Sequence, residues 1–311
     1  MCVRGIATSK YINLYTDFAF KKIFGTEANK DILISFLNTF LEFDGEKAIE
    51  DIEYINPEQL GDTNRERRAI YDVYCTTKEG ERFIVEMQRA KQDYFKDRAL
   101  YYSSFAIREQ GQKGGDKPWD YHLMPVYVIG ILDFRIDDDP TRADKVITRV
   151  RLKDDDNRTF SDRLQLVFLE MPKFRKREDE LESFSDKWLF VIKNLYQLDD
   201  KPKGLTEGIF KKIFKEASVA NLQSPEKEEY EESLKIYRDW YNVIDTAKNE
   251  GLAEGRAEGR AEGLAEGEAK GSAEGAKQQA IETARNAKTL GLPVETIAQL
   301  TGLSAEEIKN L

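Results

Sequence analysis

The stretch RAIYDVYCTTKEGERFIVEMQ, residues 68–88, constrains this chain more than any other. It alternates as a β-hairpin, yet it places acid or amide side chains at strand positions where a hairpin does not need them. Residues 70–77 and 81–88 are rich in β-branched and aromatic types, and Lys78-Glu79-Gly80 reads as a three-residue loop with glycine at the left-handed position. If Thr77 faces Glu81, paired residue numbers sum to 158, and Asp72 lies across from Glu86. Side chains alternate between faces, so Asp72, Tyr74, Thr76, Ile84, Glu86 and Gln88 share one face, predicted to be open. Val73, Cys75, Phe83, Val85 and Met87 form an apolar core face on the other. Like charges directly opposite each other destabilise a sheet, so the Asp72/Glu86 pair needs compensation. A hard divalent cation that takes oxygen ligands is the simplest form of it.

Composition removes several classes of chemistry. The chain has 311 residues, 40% of them hydrophobic, enough for a substantial core. Cys2 and Cys75 are too few for a disulfide framework or a cysteine-ligated zinc site. The start, MCVRGIATSKYINLY, has no apolar leader, and the longest apolar run, Leu123 to Leu132, is half a membrane span, interrupted by Pro125. That run is expected to be a buried strand, and no membrane partner is expected. The default location is cytoplasmic. A single histidine, His122, removes most histidine-based hydrolases. A Cys75/His122 nucleophile pair is disfavoured because the hairpin register sends Cys75 to the core. The net charge of −10, from 48 basic and 58 acidic residues, argues against coating nucleic acid by bulk attraction, though not against a local basic rim.

Along the chain, TDFAFKKIFGTEANKDILISFLNTFLE (16–42) reads as helix, broken near Gly25, with Phe20, Phe24, Ile32, Leu33, Phe36, Leu37, Phe40 and Leu41 buried. A strand at 49–55 precedes the hairpin. A helix follows over 93–110, with Asp93 to cap it and Gly111 to end it, then the strand at 122–134. The order is helix, three strands, helix, strand. Further strands are expected near 145–152 and 163–170. The boundaries expected are 1–176 for this α/β domain, 177–248 for a helical region, 249–277 for a repeat and 278–311 for a short helical tail.

The repeat, GLAEGRAEGRAEGLAEGEAKGSAEGAKQ, places glycine at every fourth residue from Gly251 to Gly275. Each glycine costs a helix about 1 kcal/mol relative to alanine, and a four-residue period outruns the helical one by about 40° per repeat. Two forms remain open: a flexible spacer, or a helix stabilised by close glycine-face packing in a homo-oligomer. The tail LPVETIAQLTGLSAEEIKNL reads as two short helices around Thr301-Gly302, with a Ser304/Glu307 capping box. It is similar to a helix-turn-helix start, but its second helix is mostly acidic, which fits docking better than reading DNA.

Asp72 with Glu86-x-Gln88 on adjacent strands, in that element order, resembles the PD-(D/E)XK nuclease superfamily. TDFAFKKIFG (16–25), YDVYC (71–75) and IVEMQ (84–88) are similar to the motifs of its Rpn branch of recombination-promoting nucleases and putative transposases. The resemblance implies a restriction-endonuclease-like αβββαβ core with a mixed sheet, followed by a helical C-terminal region. It also implies Mg²⁺, with Mn²⁺ as a substitute, bound by Asp72, Glu86 and the backbone carbonyl of Met87. Gln88 stands where most relatives have lysine; it can orient water but carries no charge, so the missing cation comes from a neighbour, from a second metal, or not at all. Lys91 lies just past the strand. Asp17 and Lys21 are expected at the site's edge, against the plain reading of an i,i+4 surface pair.

Substrate contact is assigned to Arg65, Arg67, Arg68, Lys91, Arg98 and Tyr101, a rim able to clamp phosphates without an evident base-reading element. The leading reading is therefore a Mg²⁺-dependent DNA endonuclease of low sequence specificity, promoting recombination or acting as a transposase-like enzyme. The alternatives are a nuclease fold with weak or lost catalysis that serves binding or assembly, and a metal-dependent hydrolase of RNA.

Overall fold

Thr16 opens the first helix because its hydroxyl takes the orphan N–H of Ala19, at 3.3 Å. Helix α1 (Asp17–Phe24) then ends at Gly25, where a Cβ would lie 2.9 Å from the Lys21 carbonyl oxygen. After a 3₁₀ turn, α2 (Lys30–Leu41) continues with Ile32, Leu33, Phe36, Leu37, Phe40 and Leu41 buried, as their helical spacing predicts. The computed structural model describes residues 9–56, 58–59, 69–91, 94–111 and 121–311. Arg65, Arg67, Arg68 and Asp93 lie outside the described residues.

The strands are β1 (Glu53–Tyr54), β2 (Glu58–Gln59), β3 (Ala69–Ile70), β4 (Val73–Thr76), β5 (Arg82–Gln88), β6 (Val126–Leu132), β7 (Ile147–Lys153) and β8 (Thr159–Glu170). Six form one sheet in the order β1-β4-β5-β6-β8-β7, while β2 and β3 pair separately. The β4–β5 hairpin has the expected register, Val73 opposite Val85 and Thr76 opposite Arg82. Its loop carries Gly80 at φ +93°. From β5 the chain crosses through α3 (Phe95–Arg108) to β6, which runs parallel to β5, and β8 runs parallel to β6. The sheet is therefore mixed and the core order is αβββαβ, as expected. Helix α3 ends at Arg108, and a single 3₁₀ turn carries the chain to Gly111.

Both faces of the sheet are covered. One packs Val73, Cys75, Phe83, Val85 and Met87 against α1, α2 and the helices α4 (Phe184–Asn194) and α5 (Gly208–Glu216). Trp188 is at its centre, with ring centroids 5.5 Å from both Phe36 and Phe210. The opposite face, predicted to be open, packs Tyr71, Tyr74 and Ile84 with Val126, Val128, Leu166 and Phe168 beneath Phe105 and Ala106 of α3. The Tyr71 hydroxyl donates to the Tyr102 carbonyl at 2.8 Å, and Arg82 pairs with Glu109 just past α3. The correction has a simple cause: the hairpin alternates on both faces, and its Tyr71, Tyr74 and Ile84 are apolar enough to need a cover.

Helix α6 (Ser224–Thr289) runs unbroken through the glycine repeat, so the repeat is helical. A Cβ built at any glycine from Gly251 to Gly275 meets nothing within 4 Å, so nothing in the described chain packs against the glycines. The chain divides into two compact units, Met1–Arg238 and Asp239–Leu311. In the second, α7 (Val294–Thr301) ends at Gly302 with φ +71°, and α8 (Ala305–Lys309) begins with the expected Ser304/Glu307 capping box. Ala284, Ala287, Ile297, Leu303 and Ile308 form a small core of its own. Among the described residues, no helix is long and apolar enough to cross a membrane.

Candidate active site

Strand β4 begins at Val73, so Asp72 stands one residue outside the ladder, where its side chain can turn along the sheet edge. Its Oδ2 accepts the Met87 N–H at 2.7 Å, replacing the main-chain bond the next pair would have made. The Asp72 N–H in turn donates to Glu86 Oε1 at 3.3 Å. Gln88 Nε2 donates to Glu86 Oε2 at 3.0 Å. Asp72, Glu86, Met87 and Gln88 are thus gathered as the hairpin register requires.

The main chain adds a further oxygen. N–H and C=O of one strand residue point to the same side, so a Met87 N–H directed at Asp72 puts the Met87 carbonyl on that side too. The next carbonyl, of Gln88, faces β6 and accepts the Asp133 N–H at 2.9 Å. Among the described residues, no group of three or more His, Cys, Asp or Glu side chains is placed to hold a metal ion. What the hairpin offers is two carboxylates and a main-chain carbonyl, an all-oxygen set that suits a hard cation.

Glu86 is 7% exposed. It pairs with Gly130 of β6, and a Cβ at Gly130 would lie 3.1 Å from the Phe168 ring, so glycine lets that ring close over the strand beside Glu86. Burial, and after it the Asp72 charge, push the Glu86 carboxyl up to about 8. Asp72 is also raised, by burial first and then by Asp17, against the Met87 N–H, Lys21 and Arg89. Two buried carboxyls that resist ionising side by side mark the pair as a candidate functional site.

The remaining sequence-derived residues are placed unequally. Asp17 and Lys21 form an i,i+4 ion pair at 3.0 Å, both half exposed; both charges act on Asp72. Arg98 is half-buried on α3 with its guanidinium 4.9 Å from the Tyr102 ring centroid, and its charge favours ionised Glu86. Tyr101 is 45% exposed and meets Phe105 edge-on. Lys91 is exposed just past β5. Arg65, Arg67 and Arg68 lie outside the described residues. Cys75 is buried and its thiol pushed up by that burial, while His122 is exposed, so the pair is no nucleophile and base.

Sequence reasoning passed over Arg89, which directly follows Gln88. Its guanidinium lies 5.9 Å from the ring centroid of Tyr237 on α6, and Tyr237 stacks on buried Tyr15 just before α1. The available signal was adjacency: Arg89 directly follows Gln88, two residues before Lys91.

No curated protein and no solved structure matches the chain. With a helix, an antiparallel three-strand unit, a crossover helix and a parallel strand placing an acid opposite Glu-x-Gln, residues 14–247 match the PD-(D/E)XK nuclease family transposases, and the chain belongs to that family.

Proposed function

We propose that this protein is a Mg²⁺-dependent DNA endonuclease that hydrolyses phosphodiester bonds with low sequence specificity, in recombination or a transposase-like role. The observation that carries this reading is the opposed Asp72/Glu86 pair with the Met87 main chain beside it, in the fold of a nuclease family. Asp72, Glu86 and the Met87 carbonyl would hold the cation. A bound Mg²⁺ or Mn²⁺ supplies positive charge for the phosphate oxygens and lowers the pKa of water near the scissile phosphorus.

The chain's own residues do the rest. Asp72, fixed by the Met87 N–H, keeps its second oxygen in place through a contact that does not depend on any ligand. Gln88 holds Glu86 Oε2 and, with an amide that both donates and accepts, can orient a water molecule. Phe168 over Gly130 and the α3 cover keep bulk water from the inner side of Glu86, which strengthens every charge interaction there. Arg98, Tyr101 and Lys91 would contact the sugar-phosphate backbone. Phosphate contacts of this kind position a duplex without reading its bases.

A second reading has its own support. Gln88 brings no charge to Glu86, so the fold would also suit a binding or assembly protein with weak or lost catalysis. Incubating the protein with supercoiled plasmid and with single-stranded RNA, in Mg²⁺, Mn²⁺ or chelator, separates the cases. Nicking and linearisation of plasmid that require metal are expected. Cutting confined to RNA would assign the site to ribonucleic acid, and DNA retention without cutting would support the binding protein.

A further inference from the structure

We propose that Arg89 supplies, beside Asp72, the positive charge that Gln88 cannot carry, and that the ring of Tyr237 seats its guanidinium. The inference rests on the nuclease reading and adds a residue to it. Three elements meet at this point. Strand β5 ends at Gln88, whose carbonyl is tied to β6 through the Asp133 N–H at 2.9 Å, so the next residue leaves the sheet from a fixed base. Met87, two residues before Arg89, donates its backbone N–H to Asp72 at 2.7 Å, which holds this end of β5 against Asp72; its side chain packs into the core on the α1 side, and in an extended segment the side chain two residues on leaves toward that same face.

The Arg89 guanidinium is 5.9 Å from the Tyr237 ring centroid, within cation–π range, and Tyr237 stacks on Tyr15 at 6.5 Å. Tyr15 is buried immediately before the Thr16 cap and Asp17, so the aromatic pair joins the start of α1 to α6 and seats the arginine on the side of the helix that carries Asp17 and Lys21. The Arg89 charge favours ionised Asp72, as does that of Lys21. Of the two, Lys21 is half exposed and engaged by Asp17. A guanidinium is always charged and presents several donors in a plane, which suits a phosphate oxygen better than an exposed, mobile ammonium.

The test compares wild type, Arg89→Gln, Arg89→Lys and the double variant Gln88→Lys/Arg89→Gln, by Mn²⁺ titration calorimetry and by single-turnover plasmid cutting at saturating Mn²⁺. Arg89→Gln is expected to bind Mn²⁺ about threefold or more tighter, because a competing positive charge has left the carboxylates, yet to cut at least ~50-fold more slowly. Arg89→Lys should retain most of the lost rate. The double variant should recover at least ~10-fold over Arg89→Gln, since a lysine at 88 restores a charge without restoring any packing by Arg89.

Unchanged Mn²⁺ affinity in Arg89→Gln, wild-type cutting by that variant, or a loss that Gln88→Lys does not recover would each overturn the proposal. Should Arg89→Gln fail to fold, Tyr237→Leu keeps the guanidinium and removes its seat. That variant is expected to cut at least ~5-fold more slowly and to be rescued by Gln88→Lys, and full cutting by it overturns the assignment. Wild type that binds Mn²⁺ but cuts nothing defeats the nuclease reading instead, and the Mn²⁺ affinities then decide on Arg89.

Discussion

Asp72 and Glu86 hold opposite each other two carboxyls that burial makes harder to ionise, and this makes their roles measurable. Asp72→Asn keeps an oxygen that can accept the Met87 N–H and removes a charge that burial disfavours. The variant in chelator is expected to melt no lower than wild type, to lose most of the thermal gain that millimolar Mg²⁺ gives, and to cut more than about 100-fold more slowly. Melting several degrees lower in chelator with the metal gain intact would make Asp72 a scaffold residue. Glu86 gives a pH dependence whose sign is fixed. Its folded pKa of about 8 lies above the usual 4.5, so the folded state binds its proton more tightly. The stability this contributes is fully present below about 4.5 and is lost as pH rises through about 8. The metal-free protein should therefore lose on the order of a few kcal/mol between pH 6 and 9, a loss that Glu86→Gln removes. Urea unfolding in chelator across that range checks it.

The elements around the pair divide the work between positioning and covering. The hairpin sets the register, α3 covers one face, and the first turns of α6 pack against α1 and the segment before it. Residues of α6 bind the N-terminal segment directly: the Asn13 N–H donates to the Tyr230 hydroxyl at 3.0 Å, and the Phe18 N–H to Ser233 Oγ at 3.2 Å. Lys22 also pairs with Glu226. A chain ended after residue 248 keeps all of these and every proposed ligand, and is expected to melt within a few degrees of the full chain and to cut plasmid. A chain ended after residue 223 loses buried Tyr230 with its hydrogen bond, a cost of about 3 kcal/mol or more, as for other buried aromatics. Calorimetry of the two truncations tests this. Equal melting temperatures would show that α6 is an appendage rather than part of the core.

At the scale of the molecule, the net charge of −10 means that attraction to DNA cannot come from the protein as a whole. In the proposed function it would come from cations near the acids, and among the described residues the charges of Arg89, Arg98 and Lys21 act there. The two compact units each own a core, that of Asp239–Leu311 being small and largely alanine and isoleucine. The glycines of α6 are helical without a packing partner in the described chain. If a second copy covers them, the benefit would lie in assembly and not in the fold of the first unit.

The sequence by itself determined the hairpin register, the opposition of Asp72 and Glu86, the helix break at Gly25 and the αβββαβ order. These follow from local periodicities and turn chemistry, which involve residues within one or two elements. Tertiary structure alone decided that the carboxylate face is covered, because whether α3 lies over Tyr74 and Ile84 depends on a crossover that no strand pattern specifies. It also decided that Arg89 meets Tyr237, a contact between residues almost 150 positions apart in the chain. The form of the repeat was likewise beyond local reasoning, since alanine and glutamate favour a helix and glycine opposes it by amounts that nearly cancel. Side chains distant in sequence decide burial, and burial sets the charge state of Glu86, so the motif was legible before the electrostatics were.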